Sequence, residues 1–288
     1  MTARLRDSRL ARASVDALPA VAVFIAVLVA WETSLSLLGI QAFLFPRPSV
    51  IAAALADQWP VLQASVVYTA TEALGGLAVG SALALLAAFA AARWAAARES
   101  LLPIAVAANS IPIIAFAPIA NNWFSSESPA SRIAIVALMT FFPMLINAVR
   151  GLTAVDASAV ELMRSYAASD LQVLRRLRIP NALPYVFTAL RITVTLSVIG
   201  AVVGEYFGGP TTALGIYITT EAGLFRYPNA WAAIVLACAL GIGLYLAVVV
   251  AERLVLPWRV AQREPAIQPQ NGRPAARPQG MLPLTGRQ

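Results

Sequence analysis

Residues Arg150 to Pro184 read RGLTAVDASAVELMRSYAASDLQVLRRLRIPNALP, the only long polar segment between hydrophobic runs of this chain. It carries Arg150, Arg164, Arg175, Arg176 and Arg178. Ser158-x-x-Glu161 and Ser169-x-x-Gln172 each have the form of a capping box, which starts a helix by satisfying orphan backbone donors. The first short helix presents Val160, Met163 and Ala167 on one face, with Leu162 and Tyr166 beside it and Glu161, Arg164 and Ser165 around the rest. The second is expected to end near Ile179, because Pro180 lacks an amide donor and disfavours helical geometry in the residue before it. Two short helices joined by a tight turn, exposed between membrane spans, make a docking knob for a soluble partner.

The surroundings of this segment are apolar. The 288 residues are 59% hydrophobic and only 12% charged, with a mean hydropathy of +0.74. A soluble domain carries about twice that charged fraction. The expectation is an all-α integral membrane protein built as one bundle. The net charge of +7 comes wholly from arginine, with no lysine or histidine in the chain. These arginines flank apolar runs, so lipid headgroups and topology account for them and nucleic acid does not. Without histidine, and with the single Cys238 inside an apolar run, no metal, haem or thiol site is expected. Cys238 is expected to be a small buried hydrophobe.

Six spans are expected. A polar, arginine-bearing tail, residues 1–16, precedes the first, 17–40, which is long for a secretory signal and lacks a clear cleavage site. Pro46 and Pro48 then break the helix, and Ser49 caps a short amphipathic helix through Ala56, too short to cross a bilayer that takes about 20 apolar residues. The second span, 62–92, contains Gly75, Gly76 and Gly80, which permit close helix contact. The third, 101–120, is punctuated by Pro103, Pro112 and Pro118, whose freed carbonyls call for a protein or cavity surface. The fourth covers 132–148, the fifth 185–207 and the sixth 230–256. Residues 257–288, rich in Pro, Gln, Arg and Gly, lack the apolar surface to order themselves and form a disordered tail.

Arginine placement orients the bundle. Arg4, Arg6, Arg9, Arg12, Arg93, Arg98, the five arginines of the loop and those from Arg253 onward share one side, against Arg47, Arg132 and Arg226 on the other. The positive-inside rule puts both termini and the Glu161 loop in the cytoplasm.

Glu32, Glu72 and Glu205 lie within apolar segments, where a charge is costly and faces a partner or cavity. Glu32 and Glu72 are expected near the ends of their spans, Glu32 in a structural or interfacial role. Glu205 is either a structural acid at the outer end of the fifth helix or a pore-lining one. Asn109 and Asn147 join Pro112, Pro118 and Glu205 as candidates for a translocation path; Asn121 and Asn122 either cap the outer loop or hydrogen-bond a solute. There is no second carboxylate at helical spacing, no nucleophile–base pair and no metal-ligand set, so a catalytic role is not expected. LGGLAVGS lacks the Lys-Ser/Thr ending of a nucleotide site, so any ATP is handled by another polypeptide.

The Arg150–Pro184 segment resembles the EAA loop of permease subunits of bacterial ABC importers, in which Glu-Ala-Ala, three residues, Gly and nine residues lead to Ile-x-Leu-Pro. Glu161 takes the Glu place, Ala167 the Gly place, and Leu177-Arg178-Ile179-Pro180 the closing motif, without a gap. Leu162 and Met163 replace the two alanines. Ala167 in place of glycine puts a left-handed backbone there in question. The likeness extends over about residues 17–258. Pro112-Ile-Ile-Ala-Phe-Ala-Pro118 with Trp123-Phe124, SVIGAVVGEYFGG and Glu252-Arg-Leu-Val-Leu-Pro257-Trp258 look like the nitrate, sulfonate and taurine permease group. Asn121-Asn122-Trp123-Phe124, Phe141-Phe142-Pro143, Met163-Arg164-Ser165-Tyr166-Ala167-Ala168 and Glu205-Tyr206-Phe207 look most like permeases for thiamine-pyrimidine precursors or riboflavin.

The resemblance implies a permease of six spans with a cytoplasmic two-helix coupling loop, 150–184, in the bacterial inner membrane. Its coupling residues would be Glu161, Leu162, Met163, Arg164, Tyr166, Ala167, Leu177, Ile179 and Pro180. The partners it implies are a second permease copy, a cytoplasmic ATPase dimer that binds ATP and Mg, and a periplasmic or lipid-anchored binding protein. The substrate it implies is a heterocyclic vitamin or precursor, or else an alkanesulfonate, taurine or nitrate. An ATP-independent secondary transporter is the distant alternative, and against it the chain shows no internal repeat.

Overall fold

The computed structural model describes residues 2–42, 44–108 and 112–257, and these are helical almost throughout. In chain order the α-helices are α1 (Thr2–Leu37), α2 (Pro48–Asp57), α3 (Trp59–Arg93), α4 (Ala95–Ala108), α5 (Ala117–Phe124) and α6 (Pro129–Thr153). They continue with α7 (Ala157–Ser165), α8 (Asp170–Val173), α9 (Ile179–Glu205), α10 (Leu214–Gly223) and α11 (Tyr227–Val255). A 3-10 turn, Ile113–Phe116, leads into α5, and a π-turn, Leu174–Arg178, joins α8 to α9. The expected all-helical membrane bundle is present.

Its centre is α6, packed between α3 and α9. Small residues make that contact close. A Cβ at Gly80 would stand 2.2 Å from Thr140 Oγ1 and 2.4 Å from the Ala137 carbonyl oxygen, and one at Gly76 2.4 Å from Val136 Cβ. On the other side of α6, a Cβ at Gly151 would lie 2.8 Å from Ala182 Cα. Between lipid-facing helices apolar burial supplies little drive, so backbones that approach this closely gain dispersion contacts instead. α10 and α11 lean on α9, and α2 on α11.

α1 is peripheral. Val23, Phe24 and Val27 are more than half exposed, as suits a lipid-facing surface. It is held by Trp31, which stacks on Phe45 at 5.4 Å and meets Trp231 edge-on at 5.5 Å. Glu32 also holds it, its carboxylate accepting from Ser49 N at 3.0 Å and Ser49 Oγ at 2.7 Å. Ser49 is therefore not the cap of α2. The N-cap is Arg47, with no side-chain cap, and Glu32 reaches across from α1 to supply the missing acceptor at a helix end that favours negative charge.

Three further expectations change. Five helical segments, 18–37, 59–93, 129–153, 170–205 and 227–255, are long and apolar enough to cross a membrane among the described residues. The region of the expected third span, 101–120, is instead divided: α4 has 14 residues and α5 has 8. Pro103 sits inside α4, and Pro112 and Pro118 mark where no continuous i→i−4 ladder can run. The helix of the loop does not end near Ile179: residues 170–205 form one run of 36. The π-turn makes this possible, with Ile179 N–H donating to Leu174 O five residues back, a register shift placed directly before the proline. Finally, Cys238 is exposed on α11, at a groove against α9. The tail beyond Pro257 and Asn109 lie outside the described residues.

Candidate functional site: the 150–184 loop and the polar clasp at the opposite end

The loop is built by its caps. Asp156, not Ser158, begins α7, its carboxylate accepting from Ser158 N at 3.0 Å. Asp156 stands one position earlier than the run of helical dihedrals that starts at Ala157, which makes it the residue free to turn its side chain back. The capping box at Ser169 forms as expected, with Ser169 N donating to Gln172 Oε1 at 2.8 Å and Gln172 N to Ser169 Oγ at 3.4 Å. Between them the chain reverses at Ala167, whose φ of +55° is left-handed. Ala167 N bonds Arg164 O at 2.9 Å and Ala168 N bonds Met163 O at 3.1 Å, the paired 5→2 and 6→1 bonds of a Schellman turn. The turn geometry is thus retained without the glycine, at a cost of about 1 kcal/mol.

This turn sorts the side chains. Leu162 is 59% exposed, Tyr166 80% and Leu171 54%, with Glu161 and Arg164 also exposed. Met163, Leu177 and Ile179 are half-buried, Val173 is buried, and Pro180 is exposed. Leu174 and Ile179 pack against the cluster of Met144, Leu145 and Ala182. One side of the loop is cemented to the bundle, and the other carries three large apolar side chains and Glu161 free for contact. Asn181 fastens the base, donating from Nδ2 to Gly151 O at 2.9 Å and Ala154 O at 3.1 Å. These are end-of-helix carbonyls of α6, which need a donor.

At the other ends of α6 and α9 lies a buried polar clasp. Arg132 and Glu72 are both fully buried and paired, Nε to Oε1, at 2.8 Å. The guanidinium also donates to Ser126 O at 2.6 Å, Gly208 O at 3.3 Å and Tyr68 Oη at 3.2 Å, which spends its donors on two connecting segments and α3. Glu205, also fully buried, accepts from Thr69 Oγ1 at 2.7 Å and from Gly215 N at 2.6 Å, while Leu214 N donates to Thr69 Oγ1 at 3.1 Å. Glu205 and Thr69 together cap the start of α10. Asn121 adds a bond from Nδ2 to Phe207 O at 2.9 Å and accepts from Ser131 Oγ.

Of the candidate path residues, Pro112 and Pro118 are exposed, and Asn147 is half-buried with Nδ2 on Pro143 O at 2.8 Å. Glu205 has none of its surface exposed. The structure does not gather these residues around one point: Asn147 lies toward the loop end of α6 and Glu205 at the clasp. Glu72 is not near a span end, lying well inside α3. Sequence reasoning missed Arg132 and Asn181. An acid inside an apolar run demands a counter-charge, but nothing local tells Glu72 that its partner is 60 residues away. Asn181 had a faint signal, a polar residue directly after Pro180 among apolar neighbours.

Residues 80–258 match the family described as binding-protein-dependent transport system inner membrane component. The chain is 35% identical over 254 residues to the formylaminopyrimidine transport permease protein ThiX of Halalkalibacterium halodurans, covering 86% of this chain and 99% of that one. It is 30% identical over 240 residues to the riboflavin transport system permease protein RibX of Chloroflexus aurantiacus, covering 82% and 88%. A Bacillus subtilis permease protein named for aliphatic sulfonates transport, SsuC, is 29% identical over 199 residues, 69% of this chain and 70% of that one. A helical membrane bundle matched by the family over its centre, and aligned nearly end to end with permease proteins, identifies this chain as a member of the binding-protein-dependent transport system inner membrane components.

Proposed function

We propose that this permease works as two copies with a separate cytoplasmic ATPase dimer docked on the 150–184 loops, and that it imports a heterocyclic vitamin or vitamin precursor. The observation that carries the coupling reading is the two-sidedness of the loop. Leu162 and Tyr166 project outward with Glu161, while Ile179 and Asn181, at the start of α9, bind the other side to α6. A push on the exposed side passes into the bundle because the contact behind it is packed and hydrogen-bonded rather than loose. ATP and Mg belong to the partner, and both chain ends lie in the cytoplasm with the loop. A periplasmic or lipid-anchored binding protein would deliver the solute to the α10 side.

Glu161→Arg tests the docking. It changes an exposed side chain and is expected to leave membrane insertion intact. It should abolish co-purification of the ATPase and reduce ATP-dependent uptake at least tenfold, a loss of about 1.4 kcal/mol or more in docking. Normal uptake by this variant would sink the assignment. The substrate reading rests on the relatives named for formylaminopyrimidine and riboflavin, both heterocycles. Uptake of a labelled formylaminopyrimidine and of riboflavin, measured with the accompanying binding protein, tests it. The relative named for aliphatic sulfonates makes an alkanesulfonate the second reading, and transport of that solute alone would replace the first.

A further inference from the structure

The ends of α3, α7 and α8 enclose a cleft of about 250 Å³, separate from the outward side of the loop. Three arginines line it, Arg93, Arg164 and Arg178, against a single acidic residue, Asp170. Their intramolecular partners are few. Arg93 Nη2 stands 3.8 Å from Asp170 Oδ2 with both side chains largely exposed, and Arg178 Nη1 donates to the Ala92 carbonyl at 3.2 Å. Arg164 has no side-chain hydrogen bond or ion pair among the described residues. Three positive charges and one negative leave the cleft with an excess of two. Like charges sharing a cleft of this size favour an anion between them, and a planar guanidinium suits phosphate oxygens in particular.

The remaining wall is apolar, and its depth decides what the anion is attached to. Phe89 lines the cleft one helical turn before Arg93, the last residue of a membrane-spanning helix, and is itself 39% exposed. The cleft therefore runs from the edge of the hydrocarbon layer into the headgroup layer. An acidic segment of a soluble protein could meet the arginines but would leave Phe89 against lipid tails. A phospholipid meets both: its phosphate sits among the guanidinium groups and its glycerol and upper acyl chain cover the ring. We propose that this cleft binds the headgroup phosphate of an anionic phospholipid, and that the bound lipid ties α7 and the 170–178 helix to the end of α3. The site rests on the membrane embedding of the chain and not on the ATPase or substrate reading.

The test is native mass spectrometry of the full chain released from nanodiscs holding equal phosphatidylglycerol and phosphatidylcholine. Wild type should retain phosphatidylglycerol in preference. Arg93→Gln should weaken that retention about fivefold and Arg93→Gln with Arg178→Gln about 25-fold, as expected for roughly 1 kcal/mol per basic residue at an anionic surface. Asp170→Asn, which removes the competing carboxylate, should strengthen it. Melting temperatures of the three variants separate loss of lipid from loss of fold. Equal retention of the two lipids by wild type would overturn the proposal, as would arginine variants that fold and still hold phosphatidylglycerol. Displacement of the lipid by inorganic phosphate alone would also overturn it, since the cleft would then be a free-phosphate site. None of these readouts involves the ATPase, so their failure leaves the transport reading standing.

Discussion

Arg132 has no exposed surface, and its fixed charge is tolerable only because Glu72 neutralises it and two backbone carbonyls with Tyr68 accept from three of its other four N–H groups. Removing one partner of such a pair strands the other charge in a low-dielectric interior. Arg132→Leu should therefore destabilise the protein by about 3–5 kcal/mol, read as loss of folded protein and a lower melting temperature in detergent. Glu72→Leu combined with Arg132→Leu should recover most of that, because no uncompensated charge remains. If the double variant is as damaged as the single, the pair is not what holds this end together. Ala167 makes the opposite case. Its φ of +55° is one that a Cβ resists, so Ala167→Gly should stabilise the loop turn by up to about 1 kcal/mol and Ala167→Val should weaken it by more than that. Hydrogen exchange at the amides of Ala167 and Ala168, which carry the turn's two bonds, reads both changes directly.

Helix against helix, close approach is the governing fact. At Gly80 the facing atoms of α6 include, besides Thr140 Oγ1, the Ala137 carbonyl oxygen and Cα, so a rotamer change cannot relieve the whole clash, and Gly80→Ala must push α3 away from α6. A cost of about 1–3 kcal/mol is expected from such overpacking. Gly241→Ala in α11, where nothing lies within 4 Å of the new methyl, should be neutral or slightly stabilising. Equal melting temperatures for the two variants would contradict the packing described here. The long run from Asp170 to Glu205 shows the same economy in another form. The π-turn takes up the disruption that Pro180 would otherwise impose, so the short loop helix and a membrane span become one rod. The loop helix is thereby joined through a continuous backbone to Glu205 and the clasp.

Across the bundle the helices are not equally committed. α3, with 35 residues, is about 50 Å long at 1.5 Å per residue, well beyond a hydrocarbon layer of about 30 Å, and so reaches both the clasp and the arginine cleft. α1, by contrast, touches the rest through α2, Glu32 and the ring cluster of Trp31, Phe45 and Trp231. Two ring contacts worth about 0.5–1.5 kcal/mol each are a modest hold. Trp31→Ala should leave melting of the α3–α6–α9 centre nearly unchanged while cleavage of the connection between α1 and α2 accelerates about tenfold. Unchanged cleavage would mean that the Glu32–Ser49 contact alone secures α1.

Membrane embedding, helical class and the position of the polar loop were legible from composition and from where the apolar runs stop, because transfer of side chains between water and lipid acts on each segment independently. The cap at Ser169 and the close-packing role of Gly76 and Gly80 were legible for the same reason: a short-range rule acting on neighbouring residues. What escaped depended on contacts between distant segments. The Glu72–Arg132 pair, the bonds of Thr69 to Glu205 and to the start of α10, and the Asn181 tie to α6 join residues far apart in the chain, and no local pattern records such a pairing. Pro180 and Ala167 failed local rules for one physical cause: the bundle and the loop's own hydrogen bonds outweigh a preference of about 1–3 kcal/mol at a single residue.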